Sequence, residues 1–122
     1  MTAREILESY GEMLQKSALL ARETAACRRH AAADKANAAH WEGKSSRLIK
    51  ERRSLDTRIN RRLKQLDALL ARLPDKAAAQ VLALRYISLM SYAQISEALH
   101  FSERHIYRLH LKGVHALDAL LM

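Results

Sequence analysis

Four histidines recur at intervals of five residues near the end of the sequence, and this repeat is the pattern that most directly suggests metal chemistry. A helix turns by about 100° per residue, so an interval of five carries successive side chains around the helix. Two histidines on one helix bind a metal together when they are four residues apart, because both rings then lie on one face. The sequence therefore predicts no metal site at His100, His105, His110 and His115.

Residue patterns for catalysis are missing as well. The single cysteine, Cys27, falls on an apolar helical stripe, which favours a place in the core over a role as nucleophile. We find no glycine-rich phosphate loop, no Ser/His/Asp arrangement and no pair of carboxylates in a credible pocket. We therefore expect neither an enzyme nor a bound cofactor. One cysteine cannot form an internal disulfide, so a reducing compartment is expected.

Basic residues give the sequence its strongest chemical signal. The formal net charge of +8 suits a polyanionic partner such as nucleic acid. The excess is concentrated in residues 44–64, which hold nine basic and two acidic residues, whereas residues 74–122 hold five and four. Four of the basic residues lie opposite the apolar side of the predicted helix and define a basic stripe: Arg47, Lys50, Arg58 and Arg61.

Three interpretations of the basic stripe stay open. It could be a rail that follows phosphates beside a main DNA contact, or a docking face for an acidic protein. It could also be the solvated outer face that any long exposed helix presents to water. The sequence alone does not separate these interpretations.

The elements that position these residues are predicted to be helices throughout. Ala, Leu, Arg, Lys and Glu dominate, whereas Gly, Pro and aromatic residues are few. Apolar residues in steps of four and three continue from residue 2 to about 40 and from 46 to about 73, with a break at 40–46 around Gly43. We expect residues 1–73 to form a long antiparallel helical hairpin, coiled-coil-like, for self-association or partner contact.

The hairpin is predicted to pack along one seam. Its two arginines, Arg52 and Arg62, need partners or must extend to solvent. The predicted seam consists of Ile6, Tyr10, Met13, Ser17, Leu20, Thr24, Cys27 and Ala31 in the first helix, and Leu48, Arg52, Leu55, Ile59, Arg62, Leu66, Leu69 and Leu73 in the second.

Residues 74–122 carry the signals of shorter helices. Pro74 and Asp75 suit the first turn of a helix that follows them. Ser91 with Gln94 three residues later forms the pattern of a capping box at the start of the next helix.

A turn at residues 99–101 separates the last two predicted helices. The first spans about 91–99, and the second starts after Ser102, which suits an N-cap. A short helix, a tight turn and a second helix with a polar outer face are the parts of a helix-turn-helix. A plain helical bundle would show the same periodicity.

The last helix is predicted to have an apolar and a polar face. Arg104, Arg108 and His115 point away from the apolar side, so donors that suit a DNA groove lie near its start. The apolar face consists of Ile106, Leu109, Gly113, Leu117 and Leu120.

The motifs "LALRYI", "SYAQISEAL" and "SERHI" follow one another within residues 78–117. In this order they resemble region 4 of bacterial sigma factors. The longer stretch "LRYISLMSYAQISEALHFSERHIYRLHLKGVHAL" is similar to phage and prophage transcriptional regulators of the RinA and ArpU type, and covers about the last third of the chain. The matching positions are Phe101, Ser102, Ile106, Tyr107, Arg108, Leu109, His110 and Leu117.

The resemblance implies a three-helix helix-turn-helix DNA-binding domain over residues 74–122, with its last helix in the major groove. The sequence departs from the family at His100, where Gly is usual and a positive φ is costly for other residues, and at Ser96, where Ala is usual. By the resemblance, the base contacts are Glu103, Arg104, Tyr107 and Arg108. Phosphate contacts are expected from Ser102, His105 and Lys112, and from the basic stripe.

We therefore expect a sequence-specific DNA-binding transcriptional regulator, encoded by a phage or prophage, cytoplasmic and nucleoid-associated. Its expected partners are double-stranded DNA and a second copy of the chain, a dimer being favoured, with RNA polymerase as a further candidate. Two alternatives stay open: a DNA-packaging protein of the phage small-terminase kind, and an adaptor that binds polymerase. No apolar run is long enough to span a membrane, and the first residues do not read as a signal peptide.

Overall fold

Five α-helices make up the fold, and no strand is present. The computed structural model describes all 122 residues, and the all-helical class predicted from composition is confirmed. The helices are α1 (Ala3–Ala33), α2 (Ala38–Ala71), α3 (Lys76–Leu82), α4 (Tyr92–Leu99) and α5 (Glu103–Leu121). A 3₁₀ turn (Lys35–Asn37) lies between α1 and α2, and a π-helical turn (Ala83–Ile87) continues α3.

The break between α1 and α2 lies earlier in the chain than the sequence predicted. The predicted break at 40–46 is wrong: Gly43 lies inside α2, and a Cβ on it would meet no atom within 4 Å. At the observed break, the Asn37 side-chain amide donates to the Asp34 carboxylate at 2.9 Å. Such side chains compete with the helix for hydrogen bonds, so this pair interrupts the helix although the surrounding alanines favour it.

The helices form two compact units, to both of which α1 and α2 contribute. One unit is Glu12–Arg61, and the other is Met1–Gly11 together with Arg62–Met122. The functional division into residues 1–73 and 74–122 stays a prediction.

Within Glu12–Arg61, the later part of α1 packs against the earlier part of α2. The buried residues of this unit are Ser17, Leu20, Thr24, Cys27, Ser45, Leu48, Leu55 and Ile59. All but Ser45 lie on the predicted seam, whereas Met13 and Ala31 of that seam are half-buried and Arg52 is exposed. Half of these side chains are small or polar, and the unit therefore buries little apolar area.

A polar network joins the two helices at Ser17. The Ser17 hydroxyl donates to Asp56 Oδ1 at 2.7 Å and accepts a hydrogen bond from Arg52 Nε at 3.2 Å. Arg52 also lies 3.9 Å from the Asp56 carboxylate. The seam arginine at this position thus has the partners that the sequence required.

The other unit is built around α5. Ile106 and Leu109 of α5 pack with Ala78 and Val81 of α3 and with Ile95 of α4. All five are buried, and Val81, Ile95 and Ile106 are 0% exposed. Aliphatic side chains fill this core, in contrast to the small residues of the α1–α2 seam.

Gly113 allows α5 to lie close to α3. A Cβ on Gly113 would come within 2.7 Å of Leu82 Cδ1 and 3.0 Å of Leu82 Cγ. Leu82 is fully buried, so its side chain has little room to move aside. Of the predicted apolar face of the last helix, Ile106, Leu109, Gly113 and Leu117 are buried, and Leu120 is half-buried.

α3 begins beside Pro74 and Asp75, as predicted, but it ends in a way that the sequence did not indicate. Asp75 is the N-cap, and its carboxylate accepts from the Ala78 backbone N–H at 3.1 Å. The π-helical turn that follows was not predicted. Its extra residue shifts the side chains that come after it to new directions, and the chain then passes through Leu89 with a φ of 58°.

Candidate nucleic-acid interface

The start of α4 is fixed by a reciprocal pair of hydrogen bonds. The Ser91 hydroxyl accepts from the Gln94 backbone N–H at 3.2 Å, and the Gln94 side chain accepts from the Ser91 backbone N–H at 2.9 Å. The predicted capping box is confirmed. The capping box thus provides hydrogen-bond acceptors for two backbone N–H groups at the helix start.

The turn between α4 and α5 is tight because one residue adopts the left-handed conformation. His100 has φ 59° and ψ 33°, so the positive φ anticipated at this non-glycine position is confirmed. The Ser96 hydroxyl donates to the carbonyl oxygen of Phe101, across the turn. Ser96 therefore helps to hold the angle between the two helices, a role that its identity alone did not indicate.

The first turn of α5 begins at Ser102, whose hydroxyl accepts from the His105 backbone N–H at 3.2 Å. The predicted N-cap is confirmed. The hydroxyl proton of Ser102 can still be donated, so a contact to a phosphate is compatible with the cap. Phe101 and His105, whose rings are 4.7 Å apart edge to face, flank this start.

The two faces of α5 differ sharply in exposure. Ile106, Leu109, Gly113, Val114 and Leu117 are buried. The four residues implied as base contacts are all exposed and lie in the first two turns of α5: Glu103, Arg104, Tyr107 and Arg108. The structure thus brings these predicted residues together on one accessible surface, with His105 beside them.

Tyr107 is held by other aromatic rings while its side chain stays 52% exposed. Its ring meets Tyr92 edge to face at 6.2 Å and stacks near His110 at 6.4 Å. Arg85 lies over the Tyr92 ring at 4.7 Å from the ring centre. These contacts restrict the direction in which Tyr107 leaves the surface, which suits a residue that reads a defined shape.

Beneath this surface, Tyr86 and His110 share a hydrogen bond of 2.6 Å between the hydroxyl and Nε2. His110 is 2% exposed, and its Nδ1 is buried without a partner. Burial, followed by the positive charges of Arg4 and Arg85, lowers the pKa of His110. Burial likewise raises the pKa of Tyr86, so both groups are kept neutral. The pairing was not predicted, because the residues are 24 positions apart.

Lys112, a predicted phosphate contact, already has an anionic partner. Its ammonium lies 2.7 Å from Asp75 Oδ2 at the start of α3. The hydrogen bond from Lys112 and the one from the Ala78 backbone lower the pKa of Asp75. The lysine side chain is 66% exposed, and its contact to phosphate stays a prediction.

The basic stripe belongs to the unit Glu12–Arg61. Arg47, Lys50, Arg58 and Arg61 are all exposed, and none forms an ion pair. Four unpaired cations on one side of α2 leave their charge available to a partner. Which partner meets them stays a prediction.

The structure contains no cluster of potential metal ligands: no three or more His, Cys, Asp or Glu residues gather in a way that could hold a metal ion. Cys27 is buried and unpaired. None of the helices combines the length and apolar character required to cross a membrane.

Comparison with known proteins does not assign the chain to a family. No protein-family model matches it, and no significant match was found among curated proteins or among solved structures.

Proposed function

We propose that the protein is a sequence-specific regulator of transcription that binds double-stranded DNA through a helix-turn-helix formed by α4 and α5. The observation that carries the proposal is the geometry of α5. Its apolar face is buried against α3 and α4, while Glu103, Arg104, Tyr107 and Arg108 share an exposed surface next to a capped N-terminus. Recognition helices contact base edges from this position.

Side-chain chemistry on this surface supports major-groove recognition. The guanidinium groups of Arg104 and Arg108 can each pair with O6 and N7 of a guanine, and Glu103 can accept from the amino group of a cytosine. Tyr107 offers an apolar ring edge and a hydroxyl. Ser102 and His105 lie at the helix start, where backbone N–H groups and the helix dipole favour a phosphate.

The charge distribution supports a divided binding mechanism. Residues 74–122 carry five basic and four acidic residues, so this region supplies selectivity more than general attraction. The basic stripe of Arg47, Lys50, Arg58 and Arg61 supplies sequence-independent attraction to phosphates. In this proposal α1 and α2 form an antiparallel hairpin that also mediates self-association, a dimer being favoured, or contact with RNA polymerase.

A mobility-shift assay against DNA selected from a random pool tests the proposal. We expect Arg104→Ala and Arg108→Ala each to lower affinity for the selected site by about 1–3 kcal/mol and to relax its sequence. The double change Arg58→Ala with Arg61→Ala should weaken binding to selected and scrambled DNA alike. Arg22→Ala, an exposed arginine outside both sets, is the control and should change affinity less.

Two results would contradict this function. One is the absence of any selected sequence together with unchanged binding in both sets of variants. The other is a mass in solution that corresponds to a ring of many protomers, which would favour a DNA-packaging protein of the small-terminase kind. Light scattering on the full chain separates such a ring from a dimer.

A further inference from the structure

A groove runs between α1 and α2 within Glu12–Arg61. One part has a volume of about 550 Å³, and an adjoining part, which shares Arg28 and Ile49 with it, has a volume of about 450 Å³; both are open to solvent. Because the parts share residues, the cavity is elongated along the helices. We call it the arginine groove, since its first part is lined by Arg28 and Arg29 of α1 and by Arg52 and Arg53 of α2.

The positive charge of the arginine groove is poorly balanced. The groove contains four arginines and two acidic residues, which are Asp56 in the first part, already engaged by Ser17 and Arg52, and Glu42 in the adjoining part. Arg28, Arg29 and Arg53 form no ion pair. Guanidinium groups pair with carboxylates or phosphates through two parallel hydrogen bonds, so this arrangement is complementary to an anionic ligand.

The remaining lining indicates which anionic ligand fits. Between the arginines lie the small side chains of Ala21, Thr24 and Ala25 and the apolar Ile49, and the adjoining part adds Ala31, Ala32, Ser45, Ser46 and Glu42. Small side chains let the backbone of another helix come close. No aromatic residue lines the groove, whereas sites for single-stranded nucleic acid use aromatic rings on which bases stack. An acidic amphipathic helix suits this lining, because its apolar side chains can pack on the alanines and its carboxylates can pair with the arginines.

The packing of α1 against α2 leaves room for such a helix. Ile49 is only half-buried, and Ala25 and Ala32 are exposed. A third helix along the groove would cover these side chains and enlarge the small apolar area that the seam buries.

We propose that the arginine groove binds an acidic amphipathic helix of a partner protein, whose apolar side chains pack on the alanines and whose carboxylates pair with Arg28, Arg29 and Arg53. This inference does not rest on DNA binding by α5. It uses neither the basic stripe nor any residue implied as a base contact.

The direct test is fluorescence anisotropy of the full chain with a labelled synthetic peptide. The peptide consists of Glu, Ala and Leu, with leucines on one helical face and glutamates beside them. Two further probes are a scrambled peptide of the same composition and a short single-stranded DNA. We expect the amphipathic peptide to bind and the scrambled peptide to bind at least about tenfold more weakly.

Matched variants locate the site. The double change Arg28→Gln with Arg53→Gln removes two charges from the groove, and Arg47→Gln with Arg58→Gln removes two from the stripe of the same unit. The groove variant should bind the peptide about tenfold more weakly, and the stripe variant less than about threefold more weakly. Ala25→Gln, which places a larger neutral side chain in the groove, should also weaken binding of the peptide. Far-UV circular dichroism checks that each variant keeps its helices.

Three outcomes would overturn the inference: no binding of the amphipathic peptide, equal losses in the groove and stripe variants, or preferential binding of the single-stranded DNA through the groove arginines. In the DNA mobility shift, the groove variant should lose less affinity than the stripe variant. The two proposals therefore fail separately.

Discussion

The two compact units bring helices together with different kinds of side chain. In Met1–Gly11 with Arg62–Met122, fully buried Val81, Ile95 and Ile106 pack between three helices, and Gly113 brings α5 against Leu82. In Glu12–Arg61 the buried residues include Ser17, Thr24, Cys27 and Ser45. Arginines line the groove of this unit and make up most of its basic stripe. The first unit is specified by close packing of neutral side chains. The second unit buries little apolar area, so contacts added to it should change its stability more.

The largest effect is expected at the contact between α5 and α3. Gly113→Val would force side-chain atoms into the space of Leu82 and should destabilise the protein by about 2–3 kcal/mol, as overpacking of a rigid core does. Urea unfolding followed by circular dichroism measures the loss. Unchanged stability would mean that the two helices separate easily, and the contrast between the units would then be lost.

A smaller change in stability, of opposite sign, is expected in Glu12–Arg61, the unit that buries little apolar area. Gly43 lies inside α2 with open space around its Cα, so Gly43→Ala should stabilise the protein by about 0.5–1 kcal/mol through helix propensity alone. The same urea experiment applies. Gly113→Ala is the matched substitution, and a gain of similar size there would contradict the difference in packing.

The smallest effect is expected from pH, through His110. Its pKa is lowered in the folded state, so the unfolded state binds the proton more readily. Stability should therefore be complete above the ordinary histidine pKa of about 6.5, fall as the pH drops below it, and level off below the folded pKa. The groups facing His110 are Tyr86, Tyr92 and Tyr107, with the charges of Arg4 and Arg85 nearby.

Thermal unfolding between about pH 7.5 and pH 5 measures this dependence. His110→Phe should make the melting temperature less sensitive to pH, whereas His115→Phe, at an exposed position of the same helix, should leave the sensitivity as it is. An unaltered pH dependence in His110→Phe would show that other groups cause it.

The parts of the candidate site that the sequence could predict are those with local causes. Ser91 with Gln94, and Ser102, act through hydrogen bonds to residues three positions away, which a short motif reveals. The apolar face of α5 follows from periodicity. The break between α1 and α2 also had a local signal, the pair Asp34 and Asn37, but Gly43 is the more usual sign of a helix end.

Other features depend on contacts that no local pattern records. The hydrogen bond between Tyr86 and His110 joins a residue of the π-helical turn to α5 across 24 positions of the chain. Arg28 and Arg53 face one groove only because α1 and α2 pack with this register. A helical projection sorts residues on one helix, but it does not say which sides of two helices form a shared cavity.

The ion pair between Lys112 and Asp75 has a consequence for the salt dependence of the proposed DNA binding. A free cation that meets a phosphate releases the counterion condensed there without giving up a partner, and each such contact steepens the fall of affinity with salt. Lys112 would instead exchange the Asp75 carboxylate for a phosphate, leaving an uncompensated anion beside the duplex. In the proposed division of roles Arg104 and Arg108 contact bases, so α5 would contribute little to counterion release. The salt dependence of the full chain should therefore be governed by the basic stripe of Arg47, Lys50, Arg58 and Arg61.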